Sequence, residues 1–525
     1  MAKLSVLTWI GNAAAALFGK HGSVTEQAQQ SDCSRQTVYD HAAKVQAAVL
    51  EAQLPGPCRD DLLKENERLR EENRQLWELA DTLISFTEAM QQKFTTASSA
   101  MGLSLSQIVA LLTIVVGGAQ CPSRAKVGRW VQASSRRAGK LLQVLDRACQ
   151  GFVLTLCLDE IFLHRQPLLM AVEPQSMAWV LGWRAGDRTG QTWEKALAAW
   201  PQLNYAVVDA GTGLQRGLKL ALEARQQAKA TVPLETNLDN FHIQQQGYQA
   251  MHRQWQDAEK VWQEADRATA SVDKKKQQGQ DARSVSPTAT AAWQRAEKVY
   301  EEAEQQEAAL KRVAAALQLF QADGKVNTRA AARRQVEEAL QELPGVRWAK
   351  FCRMALDQRA FTFLDRLNRQ LEQAEPRPEV RAAVLQLWQA RHPWWAGQAA
   401  TGRTARDAVQ VAVRTMVCQK VAEDWQESYL RVSAVLRGAV RASSVVECMN
   451  SVVRMHQGRH RGLSQELIDL KRLYWNCRAF AQGKRKKQCP YQHLGLRLPT
   501  YDWWELLQMS PDELEQKLSS TKLAA

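Results

Sequence analysis

Three acidic residues stand where a carboxylate could grip a divalent cation. Asp159 follows the apolar run Phe152–Leu158, and Asp209 follows Tyr205–Val208; both runs read as short buried strands. A carboxylate at a strand end is presented at a sheet edge on a rigid support. The third acid, Glu447, lies in Ala442-Ser-Ser-Val-Val-Glu447-Cys-Met-Asn450-Ser-Val-Val-Arg454. On a helix capped by Ser443 or Ser444, Glu447, Asn450, Ser451 and Arg454 share one face, and Val445, Val446, Met449, Val452 and Val453 share the other. A single Asp after a strand is ordinarily a turn or helix cap, and a solvated face beside a core face would give the same helix pattern. Two such aspartates together with an acid–amide–base stripe suit metal and phosphate. Mg²⁺ takes a few carboxylates plus phosphate oxygens, and two ions about 4 Å apart serve both oxygens of an in-line phosphoryl displacement.

The elements around these residues fix their geometry. Phe152–Leu158, Pro167–Val172 and Met177–Trp183 predict an antiparallel meander. A helix over Thr192–Trp200, the strand Tyr205–Val208, a helix over Leu214–Arg225 and a fifth strand over Ala230–Leu234 follow. Three strands, helix, strand, helix, strand is the order of the RNase H fold. In such a sheet the first and fourth strands are neighbours, so Asp159 and Asp209 nearly touch, a costly pairing unless cations intervene. Between Asp209 and Glu447 the chain is rich in Ala, Gln, Glu, Lys and Arg, with few strand signals. Trp255, Ala258, Trp262 and Ala265 mark one long helix, and Ala291, Ala296, Val299 and Ala303 another, joined by a polar tip that holds Lys274-Lys275-Lys276. At the start of this insertion Asp239 and His242 share a helical face. Either Asp239 caps the helix and His242 bonds locally, or the pair abuts the metal site and His242 is a catalytic donor.

The chain of 525 residues exceeds one hydrophobic core, so several domains are expected. Its 69 Lys and Arg against 55 Asp and Glu give a net charge of +14, a surplus that favours a polyanionic partner. The ten cysteines show no zinc-type spacing and no signal-peptide pattern opens the chain, so a cytoplasmic, nucleoid-associated protein with no membrane partner is expected. Residues 23–46 predict two helices joined at Ser31–Ser34. Arg35, Gln36, Thr37 and Tyr39 crowd the start of the second, where a helix-turn-helix reads bases; a plain helical hairpin is the alternative. Residues 104–138 suggest a second such unit, with Arg124, Lys126, Arg129, Arg136 and Arg137 toward phosphates. Leu62, Leu69, Leu76 and Leu83 recur every seven residues with Asn66 and Asn73 at the a positions, the pattern of a parallel two-stranded zipper. The alternative is one amphipathic helix packed within its own chain. His456, Arg459, His460, Arg461, Lys471 and Arg472 form a basic trail after Glu447.

The strand-ending Asp159, Val207-Val-Asp209-Ala-Gly-Thr-Gly213, and the Ser-Ser-Val-Val-Glu447-Cys-Met-Asn450 block resemble the three acidic blocks of bacterial insertion-sequence transposases of the DDE type. The long helical segment is similar to the insertions of the hAT-like group. The resemblance implies an RNase H-like core, two Mg²⁺ ions (Mn²⁺ as substitute) on Asp159, Asp209 and Glu447, strand cleavage at transposon ends and strand transfer into target DNA. It places Asn450, Arg454, Arg459 and Arg461 toward DNA, and in related enzymes an Asp or Cys stands three residues before a His near the position of His242. A dimeric DNA-binding regulator, or an RNase H-like nuclease without strand transfer, are the competing readings. The expected architecture is a multidomain α + α/β chain. It comprises a helix-turn-helix domain (1–57), a coiled coil (58–95) with a homodimer through 58–90, and a second helical DNA-binding unit (96–150). An RNase H-like mixed sheet with helices follows in two parts (151–241 and 431–482) around a large all-α insertion (242–430), then a basic tail (483–525).

Overall fold

The computed structural model describes residues 5–52, 59–83, 86–229, 232–392, 405–459 and 462–523. The chain is mostly helical and divides into two units, residues 1–86 with 401–409, and the remainder. In the first unit α1 (Val6–Phe18), α2 (Ser23–Gln30) and α3 (Arg35–Ala52) pack together, and α4 (Arg59–Leu83) follows. Ala28, Val38 and Ala42 are buried, and Val45 is half-buried. Ser23 opens α2 without capping it, since Gly22 takes the cap position in a left-handed conformation. Helix α1 supplies what the two-helix reading lacked: Trp9 stacks on the buried His41, and Asn12 bonds that ring at 3.0 Å. On α4, Leu62, Leu69 and Leu76 lie open to solvent, and among the described residues none covers that part of the heptad seam.

The second unit begins with α5 (Glu88–Met101), α6 (Leu105–Val116) and α7 (Arg124–Cys149). A domain boundary at 96 would therefore cut α5. The sheet comes next. Strand β1 (Thr155–Leu163) turns at His164 and Arg165, both at positive φ (47° and 76°), into antiparallel β2 (Gln166–Glu173). Strand β3 (Ala178–Arg184) continues the meander. Beyond α8 (Gly190–Ala198), β4 (Tyr205–Val208) pairs parallel with β1; beyond α9 (Thr212–Gln227), β5 (Glu235–Leu238) pairs parallel with β4. The order is β3-β2-β1-β4-β5, a mixed five-stranded sheet. Two sequence expectations shift. Strand β1 runs through Asp159 instead of ending before it, because the hairpin with β2 extends it to Leu163. The fifth strand is Glu235–Leu238, not Ala230–Leu234, and brings Asp239 directly to the strand end.

The long insertion follows: α10 (Asn240–Gln277) and α11 (Ser286–Ala316) form a hairpin. Its tip is tighter than the polar composition suggests, since helix extends to Gln277 and resumes at Ser286. Then come α12 (Arg329–Leu340), α13 (Val346–Ala355), α14 (Thr362–Ala374), α15 (Pro378–Arg391), α16 (Ala405–Val421) and α17 (Trp425–Gly438). Helices α18 (Ser444–Gln457) and α19 (Gln465–Cys477) return to the sheet, before α20 (Pro490–Leu494), α21 (Trp503–Gln508) and α22 (Pro511–Leu523). Side-chain alternation along β1 separates two apolar layers. Cys157 and Ile161 join Ile243 of α10, Leu310 of α11 and Met449 of α18 on one face. Leu156 and Leu158 join Leu142 of α7, Leu218 of α9 and Leu473 of α19 on the other. Tyr491, Leu506 and Leu514 belong to this second layer, so the C-terminal segment is core and not a loose tail. Among the described residues no helix is long and apolar enough to cross a membrane.

Candidate active site

The parity of the strands places the first two acids. Asp159 is two residues from both Cys157 and Ile161, so it shares their face of β1. Asp209 is two residues beyond Val207 and emerges from β4 on the same face. The parallel ladder ends at Leu158 opposite Val208, which makes the two aspartates the next step on adjacent strands. Asp209 closes its own turn: Gly211 N donates to its Oδ1 at 3.0 Å, and a Cβ on Gly211 would stand 2.9 Å from that oxygen. Gln215 of α9 donates to the Asp209 carbonyl and accepts from Arg359, so the insertion reaches this turn.

Helix α18 packs on β1 and β2 and brings the third acid. Its face divides as the sequence suggests, with one correction. Asn450, expected at a DNA surface, is fully buried and donates to Asp159 Oδ2 at 2.6 Å. It sits inside the carboxylate cluster, and its own Oδ1 is buried without a partner. Glu447, one turn earlier, is only partly covered and stands between two cations: His242 Nε2 at 3.6 Å and Arg454 at 3.7 Å.

The origin of His242's position is local. Asp239 caps α10, accepting from Phe241 N at 2.9 Å. The same carboxylate, fully buried, accepts from Ser443 N at 3.0 Å and from the Ser443 hydroxyl, and from His242 Nδ1 at 2.5 Å. Asp239 is thus a cap that also bonds His242 locally, and the His ring lies beside Glu447. Ser443 does not cap α18 with its side chain, which is spent on Asp239. Asp239 therefore fastens the start of α10 to the start of α18.

The charges in this cluster disturb one another. Burial pushes the Asp159 carboxyl up to about 7; the Glu160 N–H opposes this, while Asp209 and Glu447 raise it further. Burial works against a charged His242, yet the Asp239 carboxylate, with Asp159 and Asp209 behind it, holds the ring up at about 9. Among the described residues no three His, Cys, Asp or Glu side chains are close enough in this arrangement to share a metal ion. The donor chemistry nonetheless fits a hard divalent cation: oxygen ligands only, an excess of negative charge around Asp159, and an unpartnered buried amide oxygen beside it.

The remaining singled-out residues divide between surface and core. Arg35, Gln36 and Tyr39 are exposed on the first turns of α3; Thr37 is half-buried and bonded to Ser34 at 2.9 Å. Arg124, Arg129 and Arg136 are exposed on α7, whereas Lys126 pairs with Glu88 at 3.1 Å and Arg137 bonds Gln508 at 3.1 Å. Arg454 and Arg459 are exposed; Arg461 and His460 lie outside the described residues. The rest of the basic trail turns inward. His456, Lys471 and Arg472 are buried. Lys471 donates to the carbonyls of Ser99 and Ala100 and meets His456 at 2.7 Å, and burial pulls its ammonium down to about 7. Arg472 binds Asp146 at 2.5 Å and the Val180 carbonyl. These residues tie α19 to α5, α7 and β3. Neither a protein-family model nor a curated protein sequence matches the chain.

Proposed function

We propose that this chain is a DNA transposase of the DDE type, with an RNase H-like catalytic core interrupted by an all-helical insertion. The observation that carries the reading is the placement of Asp159 and Asp209 on one face of adjacent parallel strands, beside Glu447 of α18. The strand order and the insertion between β5 and α18 support the same reading. Asp159, Asp209 and Glu447 would hold the metal ions, two Mg²⁺ with Mn²⁺ as a substitute. Once bound, such ions neutralise the attacking and leaving oxygens of a phosphodiester.

The protein's own residues do the rest. Asn450 fixes the Asp159 carboxylate, and Asp239 fixes the imidazole of His242 with Nε2 toward Glu447. A protonated His242 presents a donor to a phosphate oxygen or to the carboxylate that holds the cation. The exposed start of α3 suits duplex reading by a helix-turn-helix, and the open seam of α4 suits a homodimer through 58–90 that would hold two DNA ends together. The test is a strand-transfer assay with labelled duplex taken from the DNA flanking the coding sequence. Mg²⁺-dependent nicking with joined product is expected. Cleavage without joining would leave a nuclease, and binding without cleavage a regulator.

A further inference from the structure

Helix α7 carries a basic row that its fold role does not use. Its inner face, including Val127, Val131, Ala138, Leu142 and Leu145, is buried. Directly opposite, at spacings of seven and four, stand Arg129, Arg136 and Lys140, all exposed, with Gln132, Ala133 and Gln143 beside them. Among the described residues no acid lies within ion-pair distance of these three, although Glu466 feels the charge of Arg136, whereas Arg147, next along the row, pairs with Glu515 at 3.2 Å. The other basic residues of α7 are less free: Lys126 is ion-paired and lies over the Trp130 ring, and Arg137 is hydrogen-bonded.

We propose that this face of α7 is a sequence-neutral docking rail for the phosphate backbone of duplex DNA; the inference rests on the nucleic-acid reading above. At about 1.5 Å per residue, the row from Arg129 to Lys140 spans about 16 Å, the length of about five base pairs. Among the described residues none holds any of the three in a fixed fork. They therefore suit phosphates, which accept a cation from many directions, better than base edges, which demand an aligned bidentate pair. The row also lacks what a helix needs to lie on a lipid surface, an apolar flank facing outward, because the apolar residues of α7 are turned into the core. The helix is an outer strut that grips whatever duplex lies across it.

The test compares the full-length chain with the triple variant Arg129→Gln/Arg136→Gln/Lys140→Gln, binding two duplexes of unrelated sequence without divalent cation. Each lost phosphate contact lowers the slope of log affinity against log salt by about 0.9, so the slope should fall by about 2.7 for both duplexes. Affinity at low salt should fall at least about tenfold with the melting temperature unchanged. Arg129→Lys/Arg136→Lys should bind like the parent, since charge alone is needed. An unchanged slope in the triple variant, in a parent chain that does bind duplex, overturns the rail and leaves the functional reading standing. A parent chain that binds no duplex overturns both. Loss of binding to anionic phospholipid vesicles, with duplex binding intact, would assign the row to a membrane surface instead.

Discussion

Two buried acids in this molecule meet opposite fates. Glu375, at the end of α14, is fully buried and saturated with donors: Arg377 at 2.8 Å, Arg431 at 3.2 Å and the Ser428 hydroxyl at 2.5 Å. Hydrogen bonds from Arg377 hold its carboxyl down at about 2 against the push of burial, with help from Ser428. Asp159 is also buried, but its donors are an amide and a backbone N–H, and its charged neighbours include two more acids. Its carboxyl rises to about 7. Glu375 closes a structural joint between α14 and α17. Asp159 has no cationic donor of its own and lies among other acids, the arrangement in which perturbed acidity marks a candidate for chemistry.

The difference predicts where substitutions bite. The largest effect belongs to the carboxylate cluster. Asp159→Asn, Asp209→Asn and Glu447→Gln should each lower strand cleavage about a thousandfold or more, ~4 kcal/mol of transition-state stabilisation, while duplex binding survives. Single-turnover cleavage and anisotropy measure the two separately. Any one of the three variants that cleaves normally removes its residue from the site.

The next effect is on stability and runs through pH. The folded chain favours a protonated Asp159, so that stabilisation is complete below the unfolded carboxyl value of ~4 and is lost as pH rises through 7. Asp159→Asn should therefore gain on the parent between pH 4 and 7, by on the order of 2–4 kcal/mol without metal. Mg²⁺ or Mn²⁺ should erase the gain by compensating the charge. Chemical denaturation at several pH values reads it, and parallel pH curves for the two chains would refute the raised acidity of Asp159. Glu375 tilts the other way: its contribution is present above the unfolded value of ~4 and is lost as pH falls toward 2. Glu375→Gln should cost about 2 kcal/mol at neutral pH, moderated because Arg377 and Arg431 are each nearly half exposed and water screens what they lose. Cleavage per folded molecule should be untouched, and a variant that stays folded but cleaves slowly would tie this joint to the active site.

Much of the candidate site is legible in residue order, because strand parity and helix periodicity are local. The alternation in Tyr205–Val208 and the three-residue step from Glu447 to Asn450 are enough to put acids on defined faces. What escapes is set by contacts between distant segments. The His164-Arg165 turn has no Gly or Asn to announce it, so the extension of β1 past Asp159 is invisible. The spacing puts Asn450 on the polar face, but only the packing of α18 on β1 turns it inward to Asp159. Likewise, nothing near Lys471 says that its ammonium is spent on the end of α5, more than three hundred residues earlier. The N-terminal α1 carries no motif at all, and only its packing against His41 shows its role.

The smallest predicted effect tests the hinge between the two kinds of acid, since Asp239 is saturated like Glu375 but also orients His242 of the candidate site. Three of its donors, Phe241 N, Ser443 N and the Ser443 hydroxyl, do not depend on His242. In His242→Ala these bonds persist, so the junction of α10 with α18 should hold, and the lost side-chain bond costs ~1 kcal/mol of stability. Among the described residues Glu447 then keeps only Arg454 as a cation within 4 Å, and the site loses the donor at Nε2. Cleavage should fall about tenfold, ~1.4 kcal/mol, in a well-folded protein. Its dependence on pH near 9, where the ring gives up its proton, should flatten as well. His242→Asn, which keeps a donor but cannot titrate, should recover part of the rate and none of the pH dependence. If both variants cleave at the parental rate with the parental pH profile, His242 serves only the helix cap, and Asp239 belongs with Glu375 among the structural acids.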